Sequence, residues 1–241
     1  MQRIVMAALL AGALSGIAAF ALHIWQTTPL ILHAEVYEAG QPAPAAGQSH
    51  GHSHGAAQPH SNAAPAVAAN AGPQKISDDP ARHALTLGAD LVAAIGFAFL
   101  LVGAMALSGR AVDWQRGIVW GLCGYAAFYV APSLGLAPEL PGMVAAELAA
   151  RQTWWLATAV SAIVVLGLIF FAPGALWKAV AALLLVAPQA FGAPHPVMEA
   201  GNVPAELAAQ FATASLVVTG LFWMVLGGLG GYFYQRFAPT A

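Results

Sequence analysis

The chain has 241 residues, of which 59% are hydrophobic and only 7% are charged, and its formal net charge is −2. A soluble domain carries about a quarter charged residues, so this composition excludes an ordinary water-facing globule and favours a protein whose solvent is lipid. The near-neutral charge argues against a nucleic-acid partner, and the single cysteine, Cys123, excludes an intrachain disulfide.

The first apolar run extends from Ile4 to Trp25. A cleaved secretory leader is the alternative, but the apolar region of such leaders has only about 7–15 residues. The run is longer than that, and Gly12 and Gly16 have the spacing of close helix packing in membranes. We therefore predict that residues 1–33 contain the first transmembrane helix.

Residues 34–82 have a different composition, dominated by Ala, Pro, Gly, Gln, Ser and His. Such a segment contains too few aliphatic side chains to bury a core. It is predicted to be a disordered, low-complexity loop that carries histidines.

Five further apolar runs follow the loop, and each is predicted to be a helix because backbone groups in lipid must be hydrogen-bonded internally. The runs cover about residues 85–107, 117–136, 154–172, 175–191 and 210–234. The sequence thus predicts an all-α, polytopic membrane protein with about six transmembrane helices arranged as hairpins. Residues 83–241 are predicted to form its main helical bundle.

The charged residues predict the orientation of these helices. Six crossings place both termini on one side, and the basic residues that fall with the termini are Arg3, Arg110, Arg116, Lys178 and Arg236. The positive-inside rule then places the termini in the cytoplasm and residues 34–82 outside it. Most acidic residues fall on the outer side, where they would concentrate cations; the alternative is that they are ordinary solvated loop residues.

Two of the predicted hairpins, 117–172 and 175–234, resemble each other. Val-Ala-Pro at 130–132 recurs at 186–188, and Ala-Glu-Leu-Ala-Ala at 146–150 recurs at 205–209. Parallel repeats are a known transporter architecture with the ligand site at the repeat interface. Chance similarity between alanine-rich segments is the alternative.

The most specific local motif is a cluster of loop histidines. Neutral imidazoles suit divalent Co, Ni, Cu and Zn, and histidine-rich tracts commonly bind metal. The alternative is a solvated spacer with incidental metal affinity. The candidate ligands in the loop are His50, His52, His54 and His60.

A second candidate cluster, His33, Glu35 and Glu38, lies at the outer end of the first helix. Its mixed nitrogen and oxygen donors suit a harder divalent ion, whereas the alternative is an interfacial helix end with polar side chains that reach water. His23 lies near the same interface and is interpreted as a packed or interfacial histidine.

Asp90 is the only ionisable residue well inside an apolar run. Intramembrane acids usually face a cavity or a partner, so a cation pathway and a helix–helix hydrogen bond are both open. His195 occupies the repeat position of Glu139, and both are candidates for a shared outer vestibule; the alternative for each is an ordinary turn residue.

Catalytic motifs are missing from the sequence. It contains no phosphate-binding Gly-rich loop followed by Lys-Ser/Thr, no His-Glu-x-x-His and no Ser-His-Asp or Cys-His arrangement. We therefore predict that the chain is not an enzyme and holds no permanent cofactor.

Four stretches resemble the CbtA family of proposed cobalt transporter subunits. They read TPLILHAEVYE at 28–38, GLAPELPG at 135–142, AARQTWW at 149–155 and VPAELA at 203–208. The resemblance covers nearly the whole chain apart from the low-complexity loop. It implies a bacterial inner-membrane protein linked to cobalamin synthesis, with a small single-span, His-bearing partner subunit of the CbtB type. The family is described with five spans, one fewer than predicted here.

These observations predict an integral membrane subunit for uptake of a divalent transition metal. Cobalt is the foremost cargo, and Ni²⁺ or Zn²⁺ are the other candidates. The alternative is a non-transporting membrane scaffold or sensor that binds metal outside the cell. The lack of charged residues in several of the predicted helices favours that alternative, because a hydrophilic path would have few side chains to line it.

Overall fold

The computed structural model describes residues 2–39, 79–196 and 202–238. These residues form helices and loops, with no strand among them, which confirms the all-α prediction. The loop histidines His50, His52, His54 and His60 lie outside the described residues.

The helices follow one another with short connections. Two π-helical turns, His23–Thr27 and Ala126–Val130, continue the helices on either side of them without a break. The α-helices are α1 (Gln2–Leu22), α2 (Thr28–Ala39), α3 (Pro80–Leu107), α4 (Trp114–Tyr125), α5 (Ala131–Ser133), α6 (Leu148–Phe171), α7 (Ala175–Phe191) and α8 (Ala205–Arg236).

Four helices among the described residues are long and apolar enough to cross a membrane: Gln2–Tyr37, Pro80–Leu107, Leu148–Phe171 and Ala205–Arg236. Helix α7 is apolar but has only 17 residues. Membrane-length helices are therefore present, whereas the count of about six spans and their arrangement as hairpins stay predictions.

The first helix is longer than the sequence pattern indicated, because it continues through α2 to Ala39 rather than ending at residue 33. The predicted loop 34–82 also ends earlier than expected, because Asp79 caps the next helix. The Asp79 carboxylate accepts hydrogen bonds from the backbone N–H groups of Ala81 and Arg82, each at 3.1 Å. Such a side chain satisfies donors that have no partner inside the helix. Helix α3 consequently begins at Pro80, a residue suited to the first helical position.

Helices α1 and α3 pack closely in an antiparallel arrangement. A Cβ atom on Gly12 would lie 2.6 Å from the Cα atom of Ile95, and one on Gly16 would lie 2.9 Å from the Cα atom of Leu91. The two backbones therefore touch where the glycines leave room, which confirms the close packing predicted from their spacing.

A second glycine seam joins α4 to α8, also antiparallel. Gly117 faces Gly231, and Gly121 faces Gly227, with 3.0 and 3.1 Å between a Cβ built on the first residue and the Cα atom of the second. Trp223 covers the same seam and stacks on Phe128 at a centroid distance of 5.8 Å.

The described helices have two distinct ends. At the end that we call the terminal end, the guanidinium of Arg3 lies 3.8 Å from the ring centre of Tyr234. At the opposite end, which we call the loop end, Ala34, Leu140 and Leu207 form a buried cluster that joins α2, the segment before α6 and the start of α8. The start of α1 and the end of α8 thus lie at the same end of the bundle.

The glycine seam predicts a contrast between two matched substitutions. We expect Gly121→Ala to destabilise the folded protein by about 1–3 kcal/mol, since an added methyl group would overlap the backbone of α8. Gly103→Ala on α3 is the control, because no atom lies within 4 Å of a Cβ at that position, and alanine is the better helix former. Thermal unfolding of the detergent-solubilised protein measures both, and equal melting temperatures for the two variants would contradict the seam.

The start of α6 predicts a pH dependence. The Glu147 carboxylate accepts hydrogen bonds from the backbone N–H groups of Ala149 at 2.9 Å and Ala150 at 2.8 Å. These bonds hold the pKa of Glu147 below its usual range. Its contribution to stability is therefore present above the ordinary glutamate pKa and is lost as the pH falls through the lowered value.

We expect Glu147→Ala to melt at a lower temperature than the parent at neutral pH, with the difference vanishing in strong acid. Melting curves of both proteins across that pH range measure the effect, and a gap that persists at low pH would refute it. Glu206→Ala is the comparison variant, because Glu206 lies inside the first turn of α8 rather than at its cap position.

Candidate metal site at the loop end of the helices

Asp90 contacts a histidine of the preceding helix. The Nδ1 atom of His23 lies 3.1 Å from Oδ1 and 3.0 Å from Oδ2 of Asp90. The side chain of His23 is 33% exposed and that of Asp90 is 14% exposed. Of the two interpretations left open by the sequence, the helix–helix hydrogen bond is therefore present, and the partner of Asp90 is the histidine that was interpreted as packed or interfacial.

The π-helical turn His23–Thr27 explains how one helix presents two polar groups to α3. In it, the N–H of Thr28 donates to the carbonyl oxygen of His23, five residues earlier. Such a turn holds one residue more than an α-helical turn. Glu35 follows His23 by twelve residues, which in a regular α-helix would place the two side chains about 120° apart around the helix axis. Because the π-helical turn takes up one extra residue, this angle falls to about 20°. Both side chains consequently reach α3.

Glu35 forms an ion pair with Arg82 in the first turn of α3. Nη2 of Arg82 donates to Oε1, and Nη1 lies 3.4 Å from Oε2. Both side chains are about one third exposed, at 37% for Arg82 and 33% for Glu35. The pair joins the two helix ends that flank residues 40–78.

Glu139 forms an equivalent pair with Arg151 of α6, in which Nη2 lies 2.8 Å from Oε2. In both pairs the acid precedes a long helix, α3 or α6, and the arginine lies near the start of that helix. If the predicted hairpins 117–172 and 175–234 are aligned by their shared motifs, His195 stands at the position of Glu139 and Gln210 at that of Arg151. The second hairpin therefore has no arginine at this position.

The other predicted ligands lie apart from these pairs. His33 is exposed on α2, with its ring 6.0 Å from that of Tyr37, and His195 is exposed after the end of α7. Position 38 belongs to α2, but the Glu38 side chain lies outside the described part of the structure.

Across residues 2–39, 79–196 and 202–238, no group of three or more His, Cys, Asp or Glu side chains is placed to hold a metal ion. Glu35 and Glu139 are each paired with arginine, and Asp90 is paired with His23. The polar groups that the structure brings together at this end are thus already paired with each other. The predicted metal residues, including the loop histidines outside the described ranges, stay predictions.

An open groove of about 700 Å³ lies between the π-helical turn, the start of α2 and the first half of α8. Glu206, Gln210 and Thr213 form its polar wall, opposite Trp25 and Gln26. The groove thus contains Gln210, which stands at the position of Arg151 in the other predicted hairpin.

Two features were missed by sequence reasoning. His23 was not chosen as a partner for Asp90, although an intramembrane acid requires one and the run before the loop contains few other polar side chains. The pairing of Glu35 with Arg82 was signalled by opposite charges on either side of the loop, but only the fold brings residues 47 positions apart into contact.

Comparison with known proteins identifies the family but no individual relative. No curated protein and no solved structure matches the chain. The sequence model of the family described as "Probable cobalt transporter subunit (CbtA)" matches residues 1–235. With apolar helices of membrane length and a match over nearly all of its residues, this chain belongs to the CbtA family of probable cobalt transporter subunits.

Proposed function

We propose that this chain is the integral membrane subunit for uptake of a divalent transition metal, with cobalt as its principal cargo and cobalamin synthesis as the use of that metal. The single observation that carries the proposal is the family match over residues 1–235. The four membrane-length helices support it, because a subunit that conducts an ion has to cross the bilayer.

We further propose that the protein lies in the bacterial inner membrane with its termini in the cytoplasm and the histidine-bearing loop outside. The clustering of Arg3 with Tyr234 at the terminal end supports this orientation, since it keeps both termini on one side. The positive-inside distribution of the arginines then selects the cytoplasm for that side. A subunit has partners, and a small single-span, His-bearing subunit of the CbtB type is the partner that we propose.

In this proposal the loop histidines His50, His52, His54 and His60 collect the metal, with His33, Glu38 and His195 as further ligands near the membrane surface. Glu35 and Glu139 would take part by exchanging arginine for the incoming cation. Each arginine pair is partly exposed, and such pairs are worth only about 0–1 kcal/mol, so exchange has a low energetic cost.

A non-transporting metal-binding scaffold or sensor is the second candidate function. It is favoured by the absence of a three-ligand cluster within the described residues, because a conduction path would need several ligands in succession. The two candidates differ in whether metal crosses the bilayer.

Metal accumulation in cells tests the role of the loop. In a strain without other cobalt importers, we expect deletion of the gene to lower cellular cobalt, as measured by elemental analysis. Replacing His50, His52, His54 and His60 together by Gln should lower uptake several-fold at limiting cobalt and leave it unchanged at high cobalt, since a collector matters only when the metal is scarce. Unchanged accumulation in the deletion strain at limiting cobalt would rule out the uptake proposal.

The control for the loop variant keeps every imidazole and alters its polar neighbours. It replaces four other residues of the same segment by Ala, namely Ser49, Ser53, Gln58 and Ser61. We expect this control to accumulate cobalt as the parent does. A loss equal to that of the histidine variant would show that loop polarity rather than imidazole ligation is responsible.

Flux into proteoliposomes separates the two candidate functions. The protein is purified from cell membranes together with its associated subunits and reconstituted, and ⁵⁷Co entry is followed over time. Cobalt accumulation above that of protein-free vesicles is the expected result. Metal binding without entry would favour the scaffold or sensor.

A further inference from the structure

We propose that His23 is the metal ligand inside the membrane, that its Nε2 atom contacts the passing cation, and that Asp90 is a positioning residue that acts through His23. This inference rests on the proposed metal-transport function and names the contact that the cargo makes part-way along the helices. It assigns a role to a histidine that the sequence pattern places among packing residues.

The geometry of the pair decides which ring nitrogen is available. Nδ1 of His23 is within 3.1 Å of both carboxylate oxygens of Asp90. A carboxylate only accepts hydrogen bonds, so in the neutral imidazole the ring proton lies on Nδ1 and the lone pair lies on Nε2. Metal-ligating histidines typically donate their second N–H to a carboxylate in this way, which fixes the tautomer and raises the basicity of the ligating nitrogen.

The backbone around His23 is held in place independently of Asp90. Its carbonyl oxygen accepts the N–H of Thr28 across the π-helical turn and also the hydroxyl of Thr27 at 3.2 Å. Single π-helical turns occur frequently at functional sites. Two bonds to one carbonyl restrict the position of the His23 Cα atom, so the imidazole is directed by the fold as well as by the carboxylate.

The position of the pair suits a transport path. Asp90 lies ten residues after Pro80, about 15 Å along the axis of α3 from its start. The imidazole is the more accessible partner, at 33% exposed compared with 14% for the carboxylate. An approaching cation therefore meets the ring before the acid, as expected of a ligand supported by a less exposed carboxylate.

The donor chemistry predicts which cations are recognised. Imidazole suits Co, Ni, Cu and Zn, whereas carboxylate and water ligands suit Mg, Ca and Mn. With one protein nitrogen and the remaining positions occupied by water, the contact is weak enough for the ion to leave, which conduction requires. Ni²⁺ and Zn²⁺ should compete with cobalt at this contact, and Mg²⁺ should not.

A purely structural helix–helix hydrogen bond is the competing explanation, and it differs in what a substitution changes. Gln at position 23 can still donate a hydrogen bond to Asp90 and hold the helices together, but it supplies no imidazole. Asn at position 90 can still accept from Nδ1, but it no longer enforces one tautomer. Structural and ligand roles are therefore separable in the same two variants.

The experiment uses the full chain with His50, His52, His54 and His60 replaced by Gln, so that loop binding does not mask a weaker contact. In this background, His23→Gln and Asp90→Asn are compared with the control His83→Gln. His83 lies on α3 beside Phe20, at a ring-centre distance of 6.5 Å. Cobalt uptake rates give KM and the maximal rate, and equilibrium dialysis with CoCl₂ together with the visible Co²⁺ spectrum reports binding to the purified protein.

We expect His23→Gln and Asp90→Asn to raise the KM for cobalt and weaken its binding by about tenfold or more, the range typical when such orienting groups are lost. The Co²⁺ absorption should change in the same variants, with melting temperatures close to that of His83→Gln, which itself should bind and transport as the background does. A His23→Gln protein with the background's cobalt affinity and spectrum would overturn the proposal, as would losses confined to melting temperature.

Failure of the proposed function remains distinguishable from failure of this inference. Should the unsubstituted protein transport no cobalt while His23→Gln abolishes cobalt binding and its spectrum in the background protein, the uptake function fails and the His23 ligand stands. Should cobalt uptake depend on the chain but not on His23, the function stands and the ligand assignment fails.

Discussion

Close backbone contact through glycine is the constraint on which the rest of this structure depends. In lipid there is no hydrophobic drive to bring apolar helices together, so van der Waals packing between backbones has to do so. Gly12 and Gly16 allow α1 to touch α3, and Gly121 allows α4 to touch α8. The buried side chains of α1 are correspondingly small, being alanine, glycine and serine. The contacts of His23 with Asp90 and of Glu35 with Arg82 cross from the first helix to α3, so they depend on the close approach of these two backbones.

The polar contacts show how a mostly apolar chain accommodates its few charges. Glu35 and Glu139 each form an ion pair with an arginine near the start of the helix that follows. Asp90, which lies further along α3, pairs instead with His23. An arginine stays charged at all relevant pH values and suits the partly exposed ends. A histidine can be neutral and can ligate a metal, which makes it the more suitable partner within the membrane. The choice of partner therefore distinguishes the two pairs at helix ends from the pair whose histidine we propose as a metal ligand.

The candidate site was only partly predictable, for identifiable reasons. Asp90 was recognisable because a lone acid in an apolar run needs a partner, but the identity of that partner depended on the packing of α1 against α3. Glu35 and Glu139 attracted a metal interpretation because carboxylates near histidines resemble ligands. Their arginines lie 47 and 12 residues away along the chain, and no periodicity in the sequence predicts such pairing. The π-helical turn at His23–Thr27 has no motif that would have revealed it, yet it directs both His23 and Glu35 toward α3.

By itself, the sequence determined that this is an all-α membrane protein, that Gly12 and Gly16 mediate a close helix contact, and that the chain resembles the CbtA family. Composition and run length suffice for the first conclusion, because the solvent preference of a segment is the sum of its own residues and needs no partner. The second rests on glycine spacing, and the third on short motifs that can be compared with a family. Only the tertiary structure decided which polar groups meet: Asp90 with His23, Glu35 with Arg82, and Glu139 with Arg151. These pairings depend on how the helices lie relative to one another. That arrangement follows from backbone contacts between distant segments and from the extra residue of the π-helical turn, which sets the direction of side chains toward a neighbouring helix.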